Sequence, residues 1–129
     1  MSVVIAYSPD IHGRAALDHG LAEAQLRKAS LVVVNVTRGD SLVDSHYAHE
    51  DEVQQVMDRL KAEGMDAKMR RDVVPDIADA VLDVAQEEHA TLIVVGVRHR
   101  SAVGKMLLGS VAQRVILDAN CPVLAVKPA

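Results

Sequence analysis

The stretch from Gly96 to Ser110, GVRHRSAVGKMLLGS, gathers residue types that suit an anion. It holds three glycines (Gly96, Gly104, Gly109), three basic residues (Arg98, Arg100, Lys105) and two serines (Ser101, Ser110). Glycine lets backbone amides approach a ligand closely, and cations beside those amides complement a phosphate. The apolar run Thr91 to Val95 lies before it and the apolar-periodic segment Val111 to Leu117 after it, so the stretch reads as a strand-to-helix connection. Ser110 stands where it can cap that helix, and the amides of Ser110 and Val111 can meet a phosphate. The same residues also suit an ordinary capped helix whose loop carries solvated arginines. Gly104-Lys105 is followed by Met106 and lacks the glycine spacing of a Walker loop, and the dinucleotide fingerprint is absent as well.

Other candidates offer less chemistry. Asp10, just past the first apolar run, can hydrogen-bond a ribose or a base amine, or cap the first helix. The histidines are His12, His19, His46, His49, His89 and His99. His46 and His49 have the spacing of a metal pair but no defined third ligand, so they read as solvated. The acidic cluster Asp44, Glu50, Asp51 and Glu52 reads as a loop and a first helical turn. Spacing assigns neither a Ser/His/Asp set nor a general acid or base, so the expectation is a binding protein and not an enzyme.

The totals narrow the class. With 129 residues the chain is expected to form a single domain, 1–129. Half of it is apolar but only 2% is aromatic, so Val, Leu, Ile, Ala and Met must fill the core. Fourteen basic against eighteen acidic residues give a net charge of -4, which disfavours nucleic acid as a ligand. The single cysteine, Cys121, excludes an internal disulfide and reads as a buried, inert thiol. The start, MSVVIAYSPD, lacks the pattern of a secretory signal and no run is long enough to span a membrane, so the chain is expected to be cytoplasmic.

The elements that hold the loop follow from periodicity. Val3 to Tyr7 and Leu31 to Val36 are continuous apolar runs, as expected of strands buried on both faces of a parallel sheet. A helix is predicted from Gly13 to Lys28, with Leu17, Leu21, Ala24 and Lys28 on one face and Ala15, Ala22 and Leu26 widening it. A second is predicted from Glu50 to Glu63, stopped by Gly64, and a third is opened by Pro75. Asp66 to Arg71 nearly alternates and reads as an edge strand, and Val123 to Val126 is the last strand. Five alternations of strand and helix predict an α/β fold, a mainly parallel sheet with helices on both faces. Ligands bind such sheets beyond the carboxyl ends of the strands, where Ser8 to Asp10, Val36-Thr37 and Gly96 to Ser110 lie.

With that order of elements, three segments resemble the universal stress protein family: Ile93 to Gly96, Gly104 to Val111, and Cys121 to Lys127. Its nucleotide-binding members share a pattern of Gly, two residues, Gly, nine residues, then Gly followed by Ser or Thr. Gly96, Gly109 and Ser110 match it, and His99 replaces the second glycine. The resemblance implies a Rossmann-like five-stranded sheet of order 3-2-1-4-5, and a stress-response module that binds ATP or AMP, with or without Mg²⁺. It also implies a homodimer paired through Val123, Leu124, Ala125 and Val126. It places Ser8, Pro9 and Asp10 at the adenosine end, Val36 on the adenine, and Gly109, Ser110 and Val111 on the phosphates. Arg98, Arg100 and Ser101 are then additional donors around His99. The alternative expectation is a homodimeric interaction module in which His99 has closed the nucleotide site.

Overall fold

Strands built of consecutive apolar residues have no face for water and must lie in the middle of a sheet covered on both sides. The computed structural model, which describes residues 1–39, 47–97 and 108–128, places them there. Its elements in chain order are β1 (Ser2–Ala6), α1 (Ile11–Arg27), β2 (Ser30–Val34), α2 (Glu50–Ala62), β3 (Ala67–Arg70), α3 (Ile77–Glu87), β4 (Ala90–Gly96), α4 (Ser110–Asp118) and β5 (Val123–Val126). The five strands are parallel throughout and run in the order β3-β2-β1-β4-β5, as expected. Because β1 pairs with both β2 and β4, strand order reverses there, and their carboxyl ends open on one crevice. The more polar β3 takes one edge and the short β5 the other.

Alternate residues of the central strands feed two cores. Val3, Ile5, Leu31, Val33 and Val94 pack under α1 and α2, which contribute Ala16, Leu17, Leu21, Val56 and Leu60. Val4, Val32, Val34, Ile93 and Val95 pack under α3 and α4, which contribute Ala78, Val81, Val84, Ala112 and Val115. At Arg114 on α4 the two outer helices are also tied by charge: it pairs with Asp76 and Asp79 of the α3 start and with Asp118.

Three expectations for the helices change. Lys28 does not continue the face of α1; it leaves the helix in the left-handed region (φ 55°), and its amide bonds back to Ala24 and Gln25. Leu26 is 79% exposed and Ala22 is exposed too, because the contact stripe of α1 is narrower and built of smaller residues. Pro75 precedes α3 without opening it: Asp76 is the N-cap, its carboxylate accepting from the Asp79 amide at 2.9 Å.

The small stripe on α1 has a physical cause. A Cβ added to Gly13 would stand 1.9 Å from the Ser8 carbonyl oxygen, one on Gly20 2.5 Å from Ile5 Cδ1, and one on Gly96 2.4 Å from the His12 carbonyl oxygen. The helix therefore lies closer to β1 and β4 than any side chain permits. Replacing Gly13 by Ala should raise intrinsic helix preference by up to about 1 kcal/mol. A backbone clash of that size outweighs the gain, as overpacking typically costs about 1–3 kcal/mol. We expect Gly13→Ala to lower the urea midpoint clearly, and Gly20→Ala to lower it less because the Ile5 side chain can yield. A Gly13→Ala protein as stable as the parent would contradict the close seat.

Candidate functional site

The carboxyl ends of β1, β2 and β4 and the first turns of α1, α3 and α4 enclose a crevice of about 370 Å³. One part is apolar: Val34 and Val36 from the β2 side, Val95 from β4, Ile77 and Val81 from α3, and Ala112 from α4. The rest is polar: Ser8 and Asp10 after β1, His12 and Gly13 in the first turn of α1, Gly96, and Gly109 to Val111 at the start of α4. Of the residues singled out from sequence, Ser8, Asp10, Val36, Gly96, Gly109, Ser110 and Val111 thus meet in one place. Pro9 is half-buried and does not line the crevice. Arg98, His99, Arg100 and Ser101 lie outside the described residues, as does His46.

The two helix starts differ in how their amides are satisfied. Asp10 is the N-cap of α1; its Oδ1 accepts from the Gly13 amide and from the Ser8 hydroxyl, each at 2.9 Å. Of the two roles open to Asp10, this one is filled by the fold itself. At α4 the cap is Gly109, which offers no side chain, so Ser110 is the first helical residue and does not cap it. The first turn of α4 also carries no acidic residue, leaving the positive end of the helix dipole uncompensated by its own sequence. Gly109 has an ordinary backbone angle (φ −62°), and a Cβ on it would meet nothing within 4 Å. Neither backbone strain nor packing therefore requires glycine at 109, while the space it leaves opens beside the first amides of α4. Gly96 differs: the His12 backbone excludes a side chain there, so its glycine serves packing and is not explained by an anion.

Three contributors went unrecognised in the sequence. Asn35 is 1% exposed; its amide donates to the Tyr7 carbonyl at 2.8 Å and its Oδ1 accepts from the Ala48 amide at 2.8 Å. It thereby locks the end of β1 to the segment entering α2, and a polar residue inside an apolar run was its one visible sign. Arg71 secures the same segment, stacking 4.3 Å above the Tyr47 ring, pairing with Glu50 and donating to the Ala48 carbonyl. The third is His12, whose Nδ1 is shut off from solvent and has no hydrogen-bond partner among the described residues. Leaving such a nitrogen unpaired costs about 1–3 kcal/mol.

Tyr7 backs the polar wall. Its buried hydroxyl donates to Glu52 Oε1 at 2.8 Å, and Arg14 reaches the same oxygen at 3.2 Å. Its phenol is pushed up to about 12, first by burial and then by the bond to Glu52. Away from the crevice, Cys121 is half-buried and not buried as expected, and that partial burial raises its thiol, disfavouring the reactive thiolate. Among the described residues, no helix is long and apolar enough to cross a membrane.

Comparison with known proteins agrees with this geometry. The family model described as the universal stress protein family matches residues 1–127. A universal stress protein of Mycolicibacterium smegmatis is 45% identical over 126 residues, covering 98% of this chain and 97% of the relative. Among solved structures, a universal stress protein from Archaeoglobus fulgidus superposes with a TM-score of 0.79 at 29% identity, covering 98% of this chain and 97% of that one. An Archaeoglobus fulgidus universal stress protein in complex with dAMP gives 0.68 at 26% identity, covering 98% and 96%. A universal stress protein in complex with cAMP gives 0.70 at 26% identity, covering 99% and 98%.

The Tyr7 pair sets a pH dependence. The folded protein holds the phenolic proton to about pH 12, whereas the unfolded chain releases it near pH 10. The associated stability is therefore fully present below about pH 10 and is lost as pH rises towards 12. Urea unfolding of the parent should show a decline across this window that is shallower in Tyr7→Phe. At pH 8 the variant should be about 1 kcal/mol less stable. Parallel declines in the two proteins would show that Tyr7 is not the group responsible.

Proposed function

The chain belongs to the universal stress protein family, and on that basis we propose that it binds an adenine nucleotide, AMP or ATP, in the crevice. The observation that carries the reading is the start of α4. A helix with no side-chain cap and no acidic first turn opens behind a glycine whose missing side chain leaves room beside its amides. Backbone amides and the dipole together favour a phosphate at Gly109, Ser110 and Val111. The apolar part formed by Val34, Val36, Ile77 and Val81 suits a purine, with Val36 against the base. That related structures hold dAMP and cAMP supports the same ligand class. The reading is a cytoplasmic stress-response module that binds and does not turn over its ligand. In its support, the single carboxylate among the described lining residues, Asp10, already caps α1.

A second reading concerns assembly, and it is favoured by a separate observation. The outer edge of β5 carries an exposed Ala125, and on the neighbouring α4 Leu117 is 73% exposed and Ile116 39%. An apolar strand edge of this kind pairs readily with a second copy of itself. A homodimer joined through Val123 to Val126 covers it.

Nucleotide binding is read by thermal shift. AMP, or ATP with Mg²⁺, at about 100 times its dissociation constant stabilises the folded state by about 2.7 kcal/mol, a rise in Tm of several degrees. Gly109→Val fits the observed backbone angle, so it should fold normally and lose that rise. If neither nucleotide shifts the parent protein, the nucleotide reading is refuted and the interaction module is left. For the dimer, Ala125→Lys places a charge on the edge without disturbing the core and should sediment as a monomer. A variant that stays dimeric would rule out pairing through β5.

A further inference from the structure

His12 adds a contact to the crevice, and the inference drawn from it rests on the nucleotide reading above. It is the second residue of α1 and lines the crevice beside the end of β4. Its backbone is fixed there, since Gly96 has no room for even a Cβ against it. Its Nδ1 is buried without a partner among the described residues. Buried polar nitrogens are almost always hydrogen-bonded, so one left unpaired just behind a crevice wall marks a ring whose bonding a ligand in the crevice can complete. Among the described lining residues, His12 is also the one that can carry a positive charge.

Topology decides which part of a nucleotide it meets. In the sheet, β2 lies on one side of β1 and β4 on the other. The valines offered to a base, Val34 and Val36, belong to the β2 side, whereas His12 sits against Gly96 at the end of β4. The connection from β4 leads into α4, whose uncapped start is the anion-binding end of the crevice. His12, set against Gly96 on the β4 side of the crevice, thus stands at the phosphate end and not the purine end. We propose that His12 is a phosphate-contacting residue: a ring N–H donates to a phosphate oxygen, making the site selective for phosphorylated adenine nucleotides over the bare nucleoside. Charge-assisted bonds of this kind are the strong ones, which is why loss of one is measurable.

The test compares AMP with adenosine by calorimetry on the whole chain and three variants. His12→Ala should bind AMP roughly tenfold or more weakly, while adenosine affinity stays within about twofold. His12→Gln, whose amide can still donate, should fall between, and it covers the event that His12→Ala fails to fold. His19→Ala, an exposed histidine on the same helix, should match the parent. Equal losses for AMP and adenosine, or no loss of AMP, would overturn the phosphate contact while leaving the nucleotide reading intact. A parent protein that binds neither compound would overturn both.

Discussion

The seat of α1 on the sheet is the contact from which the crevice is built. Gly13, Gly20 and Gly96 are each placed where a Cβ would collide, with the Ser8 backbone, the Ile5 side chain and the His12 backbone respectively. All three permit the same thing, a helix pressed onto the ends of β1 and β4. From that seat the other positions follow. Asp10 is drawn into capping, Ser8 is held by its bond to Asp10, and His12 is brought to the crevice wall with its ring nitrogen buried. A helix standing off by the width of a methyl group would relax each of these at once.

The opposite wall depends on charge and apolar packing in combination. α4 buries Ala112 and Val115 against the sheet, and Arg114 ties it to the acidic start of α3. Each exposed ion pair contributes little alone, but the set meets at one guanidinium and joins α4 to the start of α3. The amides of its first turn face the crevice without any side chain of their own to satisfy them. Asn35 and Arg71 hold the third side, where the chain leaves β2 and enters α2. Those hydrogen bonds secure the polar backbone behind the β2 end, while the crevice lining at Val34 and Val36 is apolar.

Much of this was legible in the sequence, for identifiable reasons. Continuous runs such as Val3 to Ala6 can only be central strands, and glycine at 64 does end α2, in the left-handed region (φ 73°). Patterns of apolar spacing locate helices well but say little about how closely a helix approaches, which is why Leu26 was assigned to the wrong face and Gly13 went unremarked. Gly96 was legible as a required glycine but for a different reason, since the cause lies in a residue 84 positions earlier. Ser110 and Gly109 differ by a single step at a helix start, a distinction that depends on backbone angles and not on residue type. His12 offered no sign at all, because its buried nitrogen exists only once α1 is seated.

The central claim is that the first turns of α1 and α4 face each other across one nucleotide-sized space. Titration of uniformly labelled protein with AMP, followed by amide and imidazole NMR, tests it in one measurement. The account predicts saturable shifts at the Ser110 and Val111 amides, at Gly96 and Val36, and at the His12 ring. Shifts that gather elsewhere, or that reach α4 without touching His12 and Gly96, would contradict it.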